Sequence, residues 1–166
     1  MNRNTDNPSH FDTLDGKPRV LLLDDEEGNL ASFSANFRSQ FDIYTTSCPF
    51  DAYNFIEDYN IQIVLADHQM PNISGVDFLE IIALDYPDVQ RILVTAHCDM
   101  NVMLEAINKG KVGGVLSKPF KPLEISDVVC DAWNRFKELV EKQVLMKQLQ
   151  RQNQQFEFLL RQRMLS

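Results

Sequence analysis

Val20-Leu21-Leu22-Leu23-Asp24-Asp25 and Ile61-Gln62-Ile63-Val64-Leu65-Ala66-Asp67 share one construction, an apolar run that ends in aspartate. Two later stretches repeat it with other polar ends: Ile92-Leu93-Val94-Thr95 and Val115-Leu116-Ser117-Lys118. Runs this short, continuous and rich in Val, Ile and Leu are the pattern of strands buried on both faces of a parallel sheet. In an open α/β sheet, ligands bind outside the carboxyl ends of the strands, near the point where strand order reverses. The pattern therefore predicts that three carboxylates, a hydroxyl and an ammonium share one crevice. Such a set suits a divalent cation and a phosphoryl group.

Working outward, the segments between these runs carry helical spacing. Leu30, Phe33 and Phe37 mark a first helix, and Ala52, Phe55 and Ile56 a short second one after Pro49. Val76, Leu79, Ile82 and Ala83 mark a third, with Asp77 and Glu80 in its first turns complementing the helix dipole. Val102, Leu104, Ala106 and Ile107 mark a fourth, closed by Gly110. Strands are expected near 19–24, 42–46, 62–66, 91–95 and 113–117. Strands alternating with helices predict an α/β fold, a doubly wound parallel sheet of five strands with right-handed crossovers.

Three regions follow from composition: a polar lead-in over 1–16 expected to be disordered, a globular domain over 17–134, and a helical extension over 135–166. After Gly114 and Pro122 the remaining 44 residues hold neither helix breaker. Val128, Val129, Ala132, Trp133 and Phe136 supply a face for packing on the sheet, but a closing helix needs only about 11–15 residues. If helical throughout, those residues would reach about 65 Å. Leu145, Leu149, Gln152, Phe156 and Leu159 follow a 4-3-4-3 spacing, a heptad seam with one polar member. Phe136, Val140 and Val144 form an upstream stripe that meets this seam with a phase shift resembling a stutter. The extension is accordingly expected to form a parallel coiled-coil homodimer; a frayed, mostly disordered linker toward a further element is the plainer alternative.

Charge narrows the partners. Residues 135–166 carry seven Lys or Arg against three Glu, which leaves residues 1–134 at −12 within a total of −8. An acidic body argues against nucleic-acid binding. The basic tail is diluted by seven glutamines between Gln143 and Gln162. No apolar run approaches the roughly 18 residues of a membrane span, and no signal-peptide core is visible, so a cytoplasmic location is expected. Cys48, Cys98 and Cys130 have no metal-ligand spacing and form no disulfide framework; Cys48 and Cys130 read as small core fillers.

Leu23-Asp24-Asp25-Glu26, Ala66-Asp67-His68-Gln69-Met70-Pro71, Val94-Thr95-Ala96 and Ser117-Lys118-Pro119-Phe120 resemble, in order, the signatures of two-component response-regulator receiver domains. The resemblance covers residues 17–134. It implies a flavodoxin-like sheet of order 2-1-3-4-5 and a cis Lys118–Pro119 peptide. It implies Asp67 as phosphoacceptor, with Thr95 and Lys118 as ligands of the phosphoryl group. It implies Mg2+ held by Asp25, Asp67 and the Gln69 backbone carbonyl directly, and by Asp24 through water.

Charge supports that assignment independently. Two unit charges 4 Å apart repel by about 4 kcal/mol at an effective dielectric near 20, so three carboxylates in one crevice demand a cation or raised pKa values. The plain alternatives are an Asx-turn residue for Asp67, a helix-capping acidic run for Asp24–Glu27, a strand residue for Thr95 and a solvated Lys118. One position departs from the family pattern: three residues before the lysine, receivers usually carry Tyr or Phe, and this chain has Val115. His97 and Gln69 fall where receiver side chains influence the access of hydrolytic water.

The expected function is a phosphoacceptor rather than a classical enzyme, receiving its phosphoryl group from a histidine kinase or phosphotransfer protein and signalling through the last helix. The alternative is the regulatory part of a larger signalling enzyme, such as a nucleotide cyclase, a cyclic-nucleotide phosphodiesterase or a hybrid kinase.

Overall fold

The computed structural model describes residues 16–97 and 99–166. Five strands alternate with five helices: β1 (Arg19–Leu23), α1 (Glu27–Phe37), β2 (Asp42–Thr46), α2 (Pro49–Asp58), β3 (Ile63–Asp67), α3 (Gly75–Asp85), β4 (Gln90–Thr95), α4 (Met100–Asn108), β5 (Gly114–Ser117) and α5 (Pro122–Leu165). All strand pairs are parallel, in the order β2-β1-β3-β4-β5. This is the doubly wound sheet that the alternating pattern predicts, in the order that the resemblance implies. Order reverses beside β1, so the carboxyl ends of β1 and β3 flank the switch point where α/β sheets bind ligands.

Both faces of the central strands are closed off from water. Leu21, Leu23, Val64, Ala66 and Leu93 belong to one buried cluster with Ala52, Ile56, Val76, Leu79, Ile82 and Ala106 from α2, α3 and α4. The alternate residues Val20, Leu22, Ile63, Leu65, Ile92 and Val94 point to the other face by strand geometry. They are fully buried as well, as are Phe33 of α1 and Ile125, Val129 and Ala132 of α5 at 0–1% exposure. The continuous apolar runs of the sequence thus mean two covered faces.

One sequence expectation fails. Cys48 and Cys130 are exposed rather than core fillers. Cys48 is the N-cap residue of α2, and Cys130 lies a third of a helical turn from the buried Val129. In α4 only Ala106 is buried, with Val102 partly so, whereas Leu104 and Ile107 are 51% and 53% exposed. The apolar spacing of that helix is real, but Met100, Met103, Leu104 and Ile107 form a stripe that faces solvent. Cys98 and all but the last residue of the expected disordered lead-in lie outside the described residues.

The chain divides into two compact units, one ending at Phe136 and one spanning Lys137–Ser166. Within the second, Leu145, Leu149, Phe156 and Leu159 are 65%, 54%, 65% and 60% exposed.

Candidate functional site

Asp24 follows β1 directly, and its backbone N–H donates to the Thr46 carbonyl at the end of β2 at 3.3 Å. The chain then turns sharply into α1, because the Asp24 carboxylate accepts the Glu26 N–H at 2.9 Å, an Asx turn. The acidic run does not cap α1 through a side chain: Glu26 is the N-cap residue and its side chain makes no capping hydrogen bond. Helix capping therefore does not account for Asp24 and Asp25.

Asp67 ends β3, and main-chain hydrogen bonds tie the next residue to β4 and to the start of α3. His68 N–H donates to the Val94 carbonyl of the neighbouring strand at 2.7 Å, and Gly75 N–H donates to the His68 carbonyl at 3.1 Å. The start of α3 thus lies directly against the Asp67 main chain, so closely that a Cβ at Gly75 would stand 2.3 Å from the Asp67 carbonyl oxygen. Only glycine permits that approach. Ser74 completes the corner as N-cap of α3, accepting the Asp77 N–H at 3.1 Å. Lys109 at the end of α4 forms a short ion pair with Asp77, which joins the two helices and, with Ser74, holds the Asp77 carboxyl below its ordinary range.

Of the predicted site residues, the three aspartates and Lys118 lie together. One carboxylate oxygen each from Asp24, Asp25 and Asp67 lie within 4.8 Å of one another. Asp24 and Asp67 are buried, at 0% and 4% exposure, and Asp25 opens to solvent. Lys118 bridges the two buried members, with Nζ 2.8 Å from Asp24 and 3.2 Å from Asp67. At rest the ammonium is therefore shared, with Asp24 the nearer partner, and not held by Asp67 alone. The Lys118–Pro119 peptide is cis.

Electrostatics follow from this geometry. Burial pushes the Asp67 carboxyl above its ordinary value; Lys118 opposes the rise, and the charges of Asp24 and Asp25 add to it. For Lys118, burial works toward a lower value, but Asp24 and Asp67 together outweigh it and hold the ammonium above its ordinary range. Three acids facing one ammonium leave excess negative charge that hard oxygen donors would share with a divalent cation. The donor set fits such an ion.

Thr95 ends β4 fully buried, beside β3 through the Asp67↔Val94 pairing. Its hydroxyl donates to the His97 carbonyl at 3.0 Å and accepts the His97 N–H at 3.2 Å, so it is engaged by its own loop. Gln69 and His97 both have exposed side chains. Val115, on β5, packs partly buried against the core cluster.

Sequence reasoning missed Asn29, whose amide nitrogen stands 3.2 Å and 3.0 Å from the two Asp24 oxygens, and it missed Gly75. The sequence offered only a general signal for each. A polar residue in the first turn after a strand end faces the crevice, and Ser74-Gly75-Val76-Asp77 reads as a helix start close to the Asp67 strand.

Similarity to known proteins agrees with the geometry. The chain is 25% identical over 118 residues to the hydrogenase transcriptional regulatory protein HoxA of Cupriavidus necator, covering 71% of this chain and 24% of that protein. It is 27% identical over 113 residues to the response regulator UvrY of Escherichia coli, covering 66% and 51%. The chain thus spans about a quarter to a half of these relatives. Among solved structures, that of an adenylate cyclase from Rhodopirellula baltica superposes with a TM-score of 0.74 at 23% identity, over 80% of this chain and 98% of the other, a likeness of fold. The family model of the response regulator receiver domain matches residues 20–130. With that match over most of its length, and with the ordered motifs gathered at one end of a parallel 2-1-3-4-5 sheet, the chain belongs to the response-regulator receiver family.

Proposed function

We propose that Asp67 is the phosphoacceptor of this receiver and that a histidine kinase or phosphotransfer protein is its donor. The observation that carries the reading is the sharing of Lys118 between Asp24 and Asp67 beside a third carboxylate. In the transfer, an Asp67 oxygen attacks phosphorus, the O–P bond forms, the N–P bond to the donor imidazole breaks, and the imidazole leaves with a proton. Little covalent chemistry is asked of the protein; positioning and charge neutralisation carry the step. Lys118 first keeps Asp67 ionised against burial and then pairs with a phosphoryl oxygen. Thr95 exchanges its bond to the His97 carbonyl for one to a second phosphoryl oxygen. Asp25, Asp67 and the Gln69 backbone carbonyl would hold magnesium directly, with Asp24 acting through water; when bound, the ion supplies positive charge opposite the phosphoryl oxygens. Gln69 and His97 set the access of water, and hence the slow loss of the aspartyl-phosphate.

Output runs through the extension. Leu145, Leu149, Phe156 and Leu159 are exposed on a helix with no core of its own to cover, which supports a parallel homodimer, with Gln152 weakening the pair and fixing its register. In this reading the domain covers residues 17–134, and residues 135–166 form the coiled coil. The acidic body disfavours nucleic acid as a partner. No helix among the described residues is long and apolar enough to cross a membrane, which supports a cytoplasmic setting. A second reading, the regulatory part of a larger signalling enzyme such as a nucleotide cyclase, is favoured by the likeness to the adenylate cyclase structure.

Intact-mass measurement after exposure to acetyl phosphate and magnesium tests the phosphoacceptor. One phosphoryl group is expected on the wild type and none after chelation or in Asp67→Asn; equal labelling of that variant would remove the assignment.

A further inference from the structure

The Asp24 carboxylate is 0% exposed and receives three different donors. The Glu26 N–H reaches Oδ1 at 2.9 Å, and the Lys118 ammonium reaches Oδ2 at 2.8 Å. The third donor is the side-chain amide of Asn29, 3.2 Å from Oδ1 and 3.0 Å from Oδ2, which spans both oxygens. Lys118 is the ion-pair partner of Asp24 among the described residues, and Asp67 shares it. When the ammonium turns to a phosphoryl group, Asp24 gives up that partner while remaining inside the protein. A buried carboxylate that loses a donor suffers a large desolvation penalty.

Asn29 meets this need from the first helical turn, where backbone geometry fixes it. An amide is a neutral donor: it orients the carboxylate and satisfies its lone pairs without cancelling its charge. A lysine there would neutralise the acid that the cation must meet. An aspartate would add a like charge against both oxygens. Alanine would leave Asp24 with a single backbone donor once Lys118 moved.

We propose that Asn29 is a positioning residue of this site, whose amide fixes the Asp24 carboxylate for the cation and keeps it partnered when Lys118 turns to the phosphoryl group. The inference rests on reading the acidic pocket as a cation and phosphoryl site, and it adds a residue to that reading. Asn29 stands behind Asp24, which meets the cation through water, so losing its hydrogen bonds should lower metal affinity by up to about tenfold, the low end of the range for partners of direct ligands.

Two measurements on the full chain test it, neither requiring phosphorylation. The first is calorimetric titration with magnesium chloride of the wild type, Asn29→Ala and Asn29→Ser. Affinity should fall by up to about tenfold, and by more than about twofold, in Asn29→Ala and by less in Asn29→Ser, which keeps one hydroxyl donor. Affinities within twofold of wild type for both variants overturn the inference. The second is thermal melting in excess chelator of Asn29→Ala, Lys118→Met and the double variant. The drop in melting temperature caused by Asn29→Ala should be at least twice as large when Lys118 is absent, because the amide is then the main side-chain partner of Asp24. Equal drops in both backgrounds overturn the second half of the proposal. If Asn29→Ala does not fold, Asn29→Ser decides both measurements by the same criteria. A wild type that takes up no magnesium overturns the reading of the pocket itself, a result distinct from normal wild-type binding that Asn29→Ala leaves unchanged.

Discussion

Up to Phe136 the chain places the apolar side chains of its sheet, and of the helix faces packed on it, inside: Leu21, Leu23, Leu65, Leu79 and Leu93 are all at 0% exposure. From Lys137 onward it repeats apolar residues with equal regularity, yet Leu145, Leu149, Phe156 and Leu159 stand 54–65% exposed. Apolar periodicity alone does not separate the two regions. The difference lies in what each stripe has to face. In the receiver the helices meet a sheet whose two sides are both apolar, so most burial is completed within the unit, the stripe on α4 excepted. From Leu145 onward the exposed residues lie on a single helix, and isolated helices are marginal in water. The first region is stabilised by its own core, whereas the second calls for a partner, and a second copy of the same seam is the proposed one. The proposed function divides along the same line, with phosphoryl chemistry assigned to the receiver and communication to the extension.

The contrast breaks most readily in stability measurements. Leu65→Ala should destabilise the receiver by about 2–5 kcal/mol, while Leu149→Ala in dilute solution should change it by no more than about 0.5 kcal/mol. Urea denaturation of both variants is the check, and similar losses would mean that the extension contributes to the receiver's core. Conversely, Leu149→Glu with Phe156→Glu should abolish a dimer detected by light scattering and leave phosphorylation intact. A wild type that is already monomeric would leave the extension a linker.

Next in size is Gly75→Ala. A Cβ at 2.3 Å from the Asp67 carbonyl oxygen forces α3 and the strand end apart, at a cost of about 1–3 kcal/mol. Because the displaced atoms carry Asp67, the same variant should also slow labelling by acetyl phosphate, which an ordinary core defect of equal cost would not do.

A subtler test uses pH. Burial holds the Asp67 carboxyl above its ordinary value, so the folded chain binds this proton more readily than the unfolded chain. Stability attributable to Asp67 therefore falls as pH rises from the ordinary carboxyl value through the raised one. In chelator at neutral pH, Asp67→Asn should be more stable than wild type, and the gain should vanish once the pH falls below 3.8, where the carboxyl is protonated in both states. For Lys118 the slope has the same sign and the window lies higher: its contribution is complete at neutral pH and is lost only as pH rises above 10.5 through the raised folded value. Melting curves across pH read both. The smallest expected effect is at Val115, where Val115→Tyr should enlarge the phosphorylation-dependent change in hydrogen exchange of α4 and β5. Equal responses in the two proteins would mean that another residue couples site and surface.

These regions also differ in how far the sequence discloses them. Asp24, Asp25, Asp67, Thr95 and Lys118 could be read because each ends an apolar run, and strand ends in a parallel sheet converge by topology. Asn29 could not be singled out with the same force, because its contact with Asp24 depends on the sharp turn at Glu26 and on the direction of one side chain. Gly75 is significant through a close approach between segments, which spacing does not encode. Periodicity identified the stripe on α4 and could not say that Leu104 and Ile107 face water, since an apolar face has the same spacing whether or not something covers it.

Identification of the modified residue tests the central claim most directly. Borohydride reduces an aspartyl-phosphate to homoserine, so reduction after treatment with acetyl phosphate and magnesium, followed by peptide mapping, reports the acceptor position. Homoserine at position 67, absent when magnesium is chelated, is the predicted result. Homoserine at position 24 or 25, or at no position while the intact mass rises, would contradict Asp67 as the phosphoacceptor.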